Sequence, residues 1–176
     1  MMHASHRSSS VARETPAFAP TWISAPEDGL VSMPHSEGYR VALAETADDV
    51  IQAQRLRRLV FSAEYGASFA PGNGELDRDE FDEVCDHIVV RCRQTSEVVG
   101  TYRVLLPQSA ARLGRYYSQD QFFMSRLQRQ LPGAAELGRS CVHSDHRNGA
   151  VIMMLWSAIA RYMRWKKCTH LIGCAS

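Results

Sequence analysis

Glu136-Leu-Gly-Arg-Ser-Cys-Val-His143 puts a carboxylate and a guanidinium, Glu136 and Arg139, into an otherwise apolar strand pattern. Charge in such a place needs a partner or a job, because an unpaired buried ion is very costly. In a regular strand two residues at this odd spacing face opposite sides. A bulge at Gly138 brings both to one side. It also splays two parallel strands, leaving a slot with unpaired backbone N–H groups. The loop that follows, His143-Ser-Asp-His-Arg-Asn-Gly149, has the parts of a phosphate cradle. Arg147 offers a cation, Gly149 permits close backbone approach, and the first N–H groups of the next helix favour anions.

Arg103 raises the same question within Val98-Val-Gly-Thr-Tyr-Arg-Val-Leu-Leu106, a run that is almost wholly apolar. Either it sits at an edge and reaches water, or it is a paired arginine lining a site. Asp79-Glu-Phe-Asp82 and Asp86 supply candidate carboxylates. Phe81 inside that acidic run implies that the loop packs against something. An acidic loop beside a cleft also suits a cationic amine substrate.

These residues need elements to hold them. Tyr39 to Glu45 alternates as a short strand. Thr46 suits an N-cap, Asp48 and Asp49 fall in the first turn, and Val50, Ala53, Leu56 and Val60 recur at helical steps. The pattern predicts a helix over 47–65, ended by Gly66. A long polar loop with Pro71, Gly72 and Gly74 runs from Ala67 to about Asp82. Strands over 87–92 and 98–106 form an antiparallel hairpin around Ser96-Glu97. Ser118 and Gln121 make a capping-box pattern for a helix to about Gln130, stopped by Pro132-Gly133. A strand over 136–143, a buried helix over 150–167 and a strand over 169–175 complete the series. The order β-α-β-β-α-β-α-β predicts an α/β fold whose mixed sheet is covered by helices. The sequence stops directly after the last strand, so the expectation is a sheet that normally continues and a domain, 39–176, that is incomplete.

The 176 residues suffice for one core. A net charge of +1 supplies no field for nucleic acid. Five cysteines, none in a C-x-x-C pair, read as core thiols in a reducing cytoplasm rather than disulfides or a metal site. His143 and His146 read as loop histidines. Residues 1–38 carry a serine run and four prolines and read as a disordered tail, with Trp22 as a candidate docking anchor. No signal peptide or bilayer-spanning stretch is evident, so any membrane contact would be peripheral.

Arg57 with Val60-Phe61, Asp79-x-x-Asp82, Asp86-His87, Val99-Gly-Thr-Tyr-Arg103, the Glu136–Val142 run, Arg147-Asn-Gly-Ala150, Leu155-Trp156 and Gly173-Cys-Ala-Ser176 together mark a family. The segment 39–176 resembles the acyl-carrier-dependent N-acyltransferases of the GNAT-like superfamily. The Glu136 and final segments resemble the bacterial L-ornithine Nα-acyltransferases, which make lyso-ornithine lipid, more than the acyl-homoserine-lactone synthases. The resemblance implies a GNAT-like fold and attack of the ornithine α-amine on a (3-hydroxy)acyl thioester carried by the phosphopantetheine of acyl carrier protein. It implies Glu136 as base, acting through a water. Arg103 and Arg139 would fix the acidic loop or the substrate carboxylate. Asp79 and Asp82 would hold the ornithine ammonium or organise the site. N–H groups near Ser140, Cys141 and Val142 would stabilise the oxyanion, and Arg147, Asn148, Gly149 and Ala150 would grip the phosphopantetheine. No metal or redox cofactor is implied. Cys141 as an acyl-carrying nucleophile is the alternative, but no third group orients His143 towards it. A carrier-binding remnant without turnover is the non-enzymatic alternative. The Arg147 loop is shorter than the usual superfamily signature, and the family's chain continues beyond Ser176.

Overall fold

The computed structural model describes residues 36–66 and 74–174. The tail with Trp22, the turn at Pro71 and Gly72, and the last two residues lie outside the described part.

Strand β1 (Tyr39–Leu43) leads into helix α1 (Ala47–Tyr65). Thr46 caps α1 as expected: its Oγ1 accepts from Asp49 N at 3.1 Å, while Asp49 accepts from Thr46 N at 2.9 Å. Gly66, at φ 58, closes it in the left-handed conformation that glycine adopts without penalty. After the acidic loop come β2 (Asp86–Cys92) and β3 (Val98–Leu105), then α2 (Pro107–Leu113), β4 (Ala134–Val142), α3 (Ala150–Lys166) and β5 (His170–Gly173). The five strands form one sheet in the order β1-β2-β3-β4-β5. Only the β4–β5 pair is parallel, because α3 carries the chain back across the sheet between them.

Strand alternation gives the sheet two buried faces. Ile88, Val90, Val104 and Leu137 meet Val151, Leu155 and Ile159 of α3. On the other face Val89 and Cys141 meet Ala53, Leu56 and Val60 of α1. Each such side chain, when fully buried, contributes roughly 1.5–3 kcal/mol. Gly100 lets α3 lie close: a Cβ there would strike Val151 and meet Leu155 Cδ1 at 3.4 Å.

The segment between β3 and β4 differs from the expected helix. Three short 3-10 turns, Tyr117–Asp120, Ser125–Leu127 and Leu131–Gly133, replace it. Ser118 does not cap a helix, because its N–H and hydroxyl are both spent on Glu136. The true helix lies earlier, with Pro107 in its first turn and Gly114, at φ 87, just past its end. Proline inside the start and glycine past the finish were legible signals of it.

Candidate active site

Strand β4 is kinked, one residue later than expected. Arg139, not Gly138, takes a positive φ of 51. The register confirms a bulge: Arg103 pairs with Gly138 and Thr101 with Cys141, so Arg139 and Ser140 together oppose Tyr102. On the far edge, parallel pairing with β5 reaches Leu137↔Gly173. Beyond that point no described strand flanks β4. His143 N still donates to Val99 O at 2.8 Å, so by alternation the N–H and C=O of Val142 face away from β3, into the opening. A Cβ built on Gly138 would meet nothing within 4 Å. The kink, the ended pairing and the space over Gly138 together define a slit beside Glu136.

The bulge also turns Arg139 onto the α1 face. There three arginines and three aspartates from four segments gather. Arg57 of α1 donates from Nε to Asp77 Oδ2 at 3.0 Å and forks onto both oxygens of Asp82 at 2.9 Å. Arg103 reaches Asp79 at 2.5 Å and Asp82 at 3.2 Å. Arg139 lies 3.6 Å from Asp77 and 3.8 Å from Asp79, with its guanidinium over Phe61. Arg103 is therefore the buried, paired arginine, not an edge residue. Phe81 is buried under the guanidinium of Arg103, as its place in the acidic run implied. Burial pushes the Asp82 carboxyl up, but the hydrogen bonds and charge of Arg57, then Arg103, outweigh it and hold the group at about 2. Burial lowers the neighbouring His87 below the ordinary histidine range despite the attraction of Asp82. The cluster balances three cations against three anions. Asp82 is buried and accepts from Arg57, Arg103 and Asp79 N, so its carboxylate ties the cluster together. Arg139, a third exposed and with a buried Nε lacking a hydrogen-bond partner, is the guanidinium still open to a ligand.

Glu136 is buried on the same face. Its Oε2 accepts from Tyr117 N and its Oε1 from Ser118 N, each at 2.7 Å. Ser118 Oγ also donates to Oε1. On its other side, Ser118 Oγ lies 3.6 Å from Cys174 Sγ at the end of β5. Ser118 thus stands between Glu136 and the β5 end of the slit.

Cys141 is buried against α1. Burial pushes its thiol up to about 12, so thiolate is scarce at neutral pH. Ser140 is exposed on the bulge, beside the outward-facing backbone of Val142. The loop after β4 is closed by its own contacts. Arg147 bonds Val142 O at 3.2 and 3.1 Å and pairs with Glu64. Asn148 Oδ1 accepts from Ala150 N at 3.1 Å, while its Nδ2 donates to Tyr39 Oη at 3.2 Å. The Tyr39 hydroxyl also hydrogen-bonds with His146 Nδ1, 3.0 Å away. Gly149 at φ 86 makes the turn into α3. Gly149, at the N-cap of α3, supplies no side-chain cap to the first N–H groups of the helix. A groove of about 860 Å³ opens alongside, lined by Leu56, Leu59, Ser62, Val99, His143 and His146. It does not reach Glu136, so the reacting groups, not this groove, mark the site.

A model of the acetyltransferase (GNAT) domain matches residues 56–157. The chain belongs to this family. Among curated GNAT relatives, L-ornithine N(alpha)-acyltransferase of Rhodobacter capsulatus is 38% identical over 145 residues, 78% of this chain and 56% of that protein. The protein of the same name from Brucella abortus is 33% identical over 145 residues, 77% of this chain and 52% of its own length. The chain thus spans about half the length of the curated relatives it matches. The fold also resembles the CoA-dependent acyl-homoserine lactone synthase BjaI, with a TM-score of 0.57 at 17% identity over 77% of this chain and 66% of that one.

Within this GNAT site, sequence reasoning passed over Asp77, Tyr117 and Ser118. Asp77 lies in the polar loop without a motif around it, although a carboxylate had to exist for Arg57 once that residue fell on the buried stripe of α1. Ser118 carried a signal that pointed elsewhere, to a helix cap.

Proposed function

We propose that this protein is an N-acyltransferase that moves a (3-hydroxy)acyl group from the phosphopantetheine of acyl carrier protein to the α-amino group of ornithine, giving lyso-ornithine lipid in the cytoplasm. The observation that carries this reading is a buried carboxylate beside a kinked, one-sided β4 in a GNAT chain whose curated relatives are named for that acceptor.

The thioester enters the slit past Val142, and its carbonyl oxygen turns towards the outward N–H there as negative charge develops. The neutral amine attacks the carbonyl carbon. The C–S bond then breaks and the pantetheine thiolate leaves, which a thiol pKa near 8.5 makes easy. The nitrogen's surplus proton passes to Ser118 Oγ, directly or through water, as Ser118 gives its own hydroxyl proton to Glu136. Arg139 pairs with the ornithine carboxylate. Arg57, Arg103, Asp77, Asp79 and Asp82 hold the walls.

Purified protein given acyl-carrier and CoA thioesters in parallel, with labelled ornithine, should form acylated ornithine by mass spectrometry, faster from the carrier. Glu136→Gln should lower the rate roughly 10²-fold. Transfer to a methionine-derived sulfonium compound instead would establish the lactone-synthase reading. Carrier binding with no acylated amine would establish a non-catalytic role.

A further inference from the structure

We propose that residues 122–129, between β3 and β4, form a docking surface for an anionic lipid bilayer. Met124 is buried and pins this stretch to the domain, yet its neighbours Phe122, Phe123 and Leu127 are exposed, Phe123 completely. Soluble surfaces rarely present adjacent bare phenylalanines without a use for them. Arg126 and Arg129 are exposed in the same stretch and pair with no carboxylate among the described residues. Eight residues reach at most about 28 Å when extended, so both features fall on one small patch. From Leu106 to Gly133 the sequence has four arginines, Arg112, Arg115, Arg126 and Arg129, against one acid, Asp120. That excess of +3 stands out in a chain whose net charge is +1. Aromatic rings flanked by guanidinium groups fit the boundary between acyl chains and anionic headgroups. No described helix is long and apolar enough to cross a membrane.

The placement gives the contact a purpose, and here the inference rests on the acyl-transfer reading. Phe122 lies four residues after Ser118, whose N–H and hydroxyl grip Glu136. A bilayer at 122–129 would therefore lie next to the slit where an acyl amphiphile is made, ready to receive its chain.

The full chain is tested by co-sedimentation with vesicles of phosphatidylglycerol mixed with phosphatidylcholine, and of phosphatidylcholine alone. Wild type should pellet with the anionic vesicles at about 0.1 M salt and be released by about 0.5 M salt, where the screening length is about twofold shorter. Arg126→Gln/Arg129→Gln should weaken partitioning about thirtyfold, at about 1 kcal/mol per arginine. Phe122→Ser/Phe123→Ser should abolish it with an unchanged melting curve. Wild type that stays in solution, or the phenylalanine variant binding as well as wild type, overturns the proposal. So does a wild-type dimer that the phenylalanine variant turns into a monomer, since the patch would then be a self-interface. Sedimentation is read without substrate, so vesicle binding by a protein that fails to acylate ornithine refutes the acyl-transfer reading and leaves this one standing.

Discussion

Replacing each of the three clustered arginines by alanine should destabilise the fold in the order Arg57, Arg103, Arg139. Arg57 is 1% exposed and makes three hydrogen bonds of 2.9–3.0 Å to Asp77 and Asp82, plus one to Asp77 O. Its removal strips both aspartates, each 3% exposed, of their main counter-charge. Breaking a buried pair in this way costs about 3–5 kcal/mol, and Arg57→Ala belongs at the upper end. Arg103→Ala leaves Asp82 its fork from Arg57 and Asp79 its neighbour Arg139, so about 3 kcal/mol is expected. Arg139 is a third exposed and holds its partners at 3.6 and 3.8 Å, too far for good hydrogen bonds, so Arg139→Ala should cost within about 1 kcal/mol. Urea unfolding followed by the fluorescence of Trp156 and Trp165 reads all three. If Arg57→Ala is too unstable to fold, Arg57→Lys keeps the charge, loses the fork and should still fall well below Arg139→Ala. Equal losses at Arg57 and Arg139 would refute the assignment of the cluster's energy to its buried fork.

Stability should decline as pH falls. The Asp82 carboxyl is depressed from 3.8 to about 2, so its contribution, roughly 2 kcal/mol, is whole above the unfolded value and lost as pH drops through the folded one. His87, also depressed, acts with the same sign from about pH 6.5 downward. Urea midpoints between pH 7 and pH 2 check this, and a flat profile would contradict it. Ser118→Ala should lower kcat about 10²-fold and shift its acid limb while changing KM little; a KM effect alone would make Ser118 merely structural. Gly138→Ala should fold normally, having open space above it, but slow acyl transfer by narrowing the slit. Gly100→Ala should destabilise by about 1–3 kcal/mol through its collision with Val151; melting curves of the pair separate the two glycines.

Periodicity revealed most of the frame. The stripe and caps of α1 fixed that helix, and β1 and α3 fall within two residues of the expected bounds. The expectation of a wholly buried α3 was wrong: only one face is buried, and the apolar Ile152, Met153 and Trp156 are exposed. The 118–130 region failed because a distant partner overrode the local signal. Ser118 and Gln121 match a helix start locally, but a buried carboxylate 18 residues onward competes for the same serine and wins. The site was legible as residue types and not as partnerships. A charged residue in a buried pattern announces that a counter-ion exists, and Arg103 did so. Which of Asp77, Asp79 and Asp82 answers it depends on how a long loop folds back, which no spacing encodes. The bulge was foreseen at the glycine, the residue that tolerates it best. The structure puts the left-handed turn on Arg139, where pairing with Asp77 and Asp79 and stacking on Phe61 offset the strain.

The hydroxyl of Tyr39 joins the first residue of the sheet to the loop before α3, through His146 and Asn148, more than a hundred positions later. Anyone shortening this protein for crystals or assays should keep that tyrosine. A version beginning at Arg40 would lose one backbone position of an outer strand, but it would also unlatch the loop before α3, and a loss of stability or binding measured on it would be an artefact of trimming.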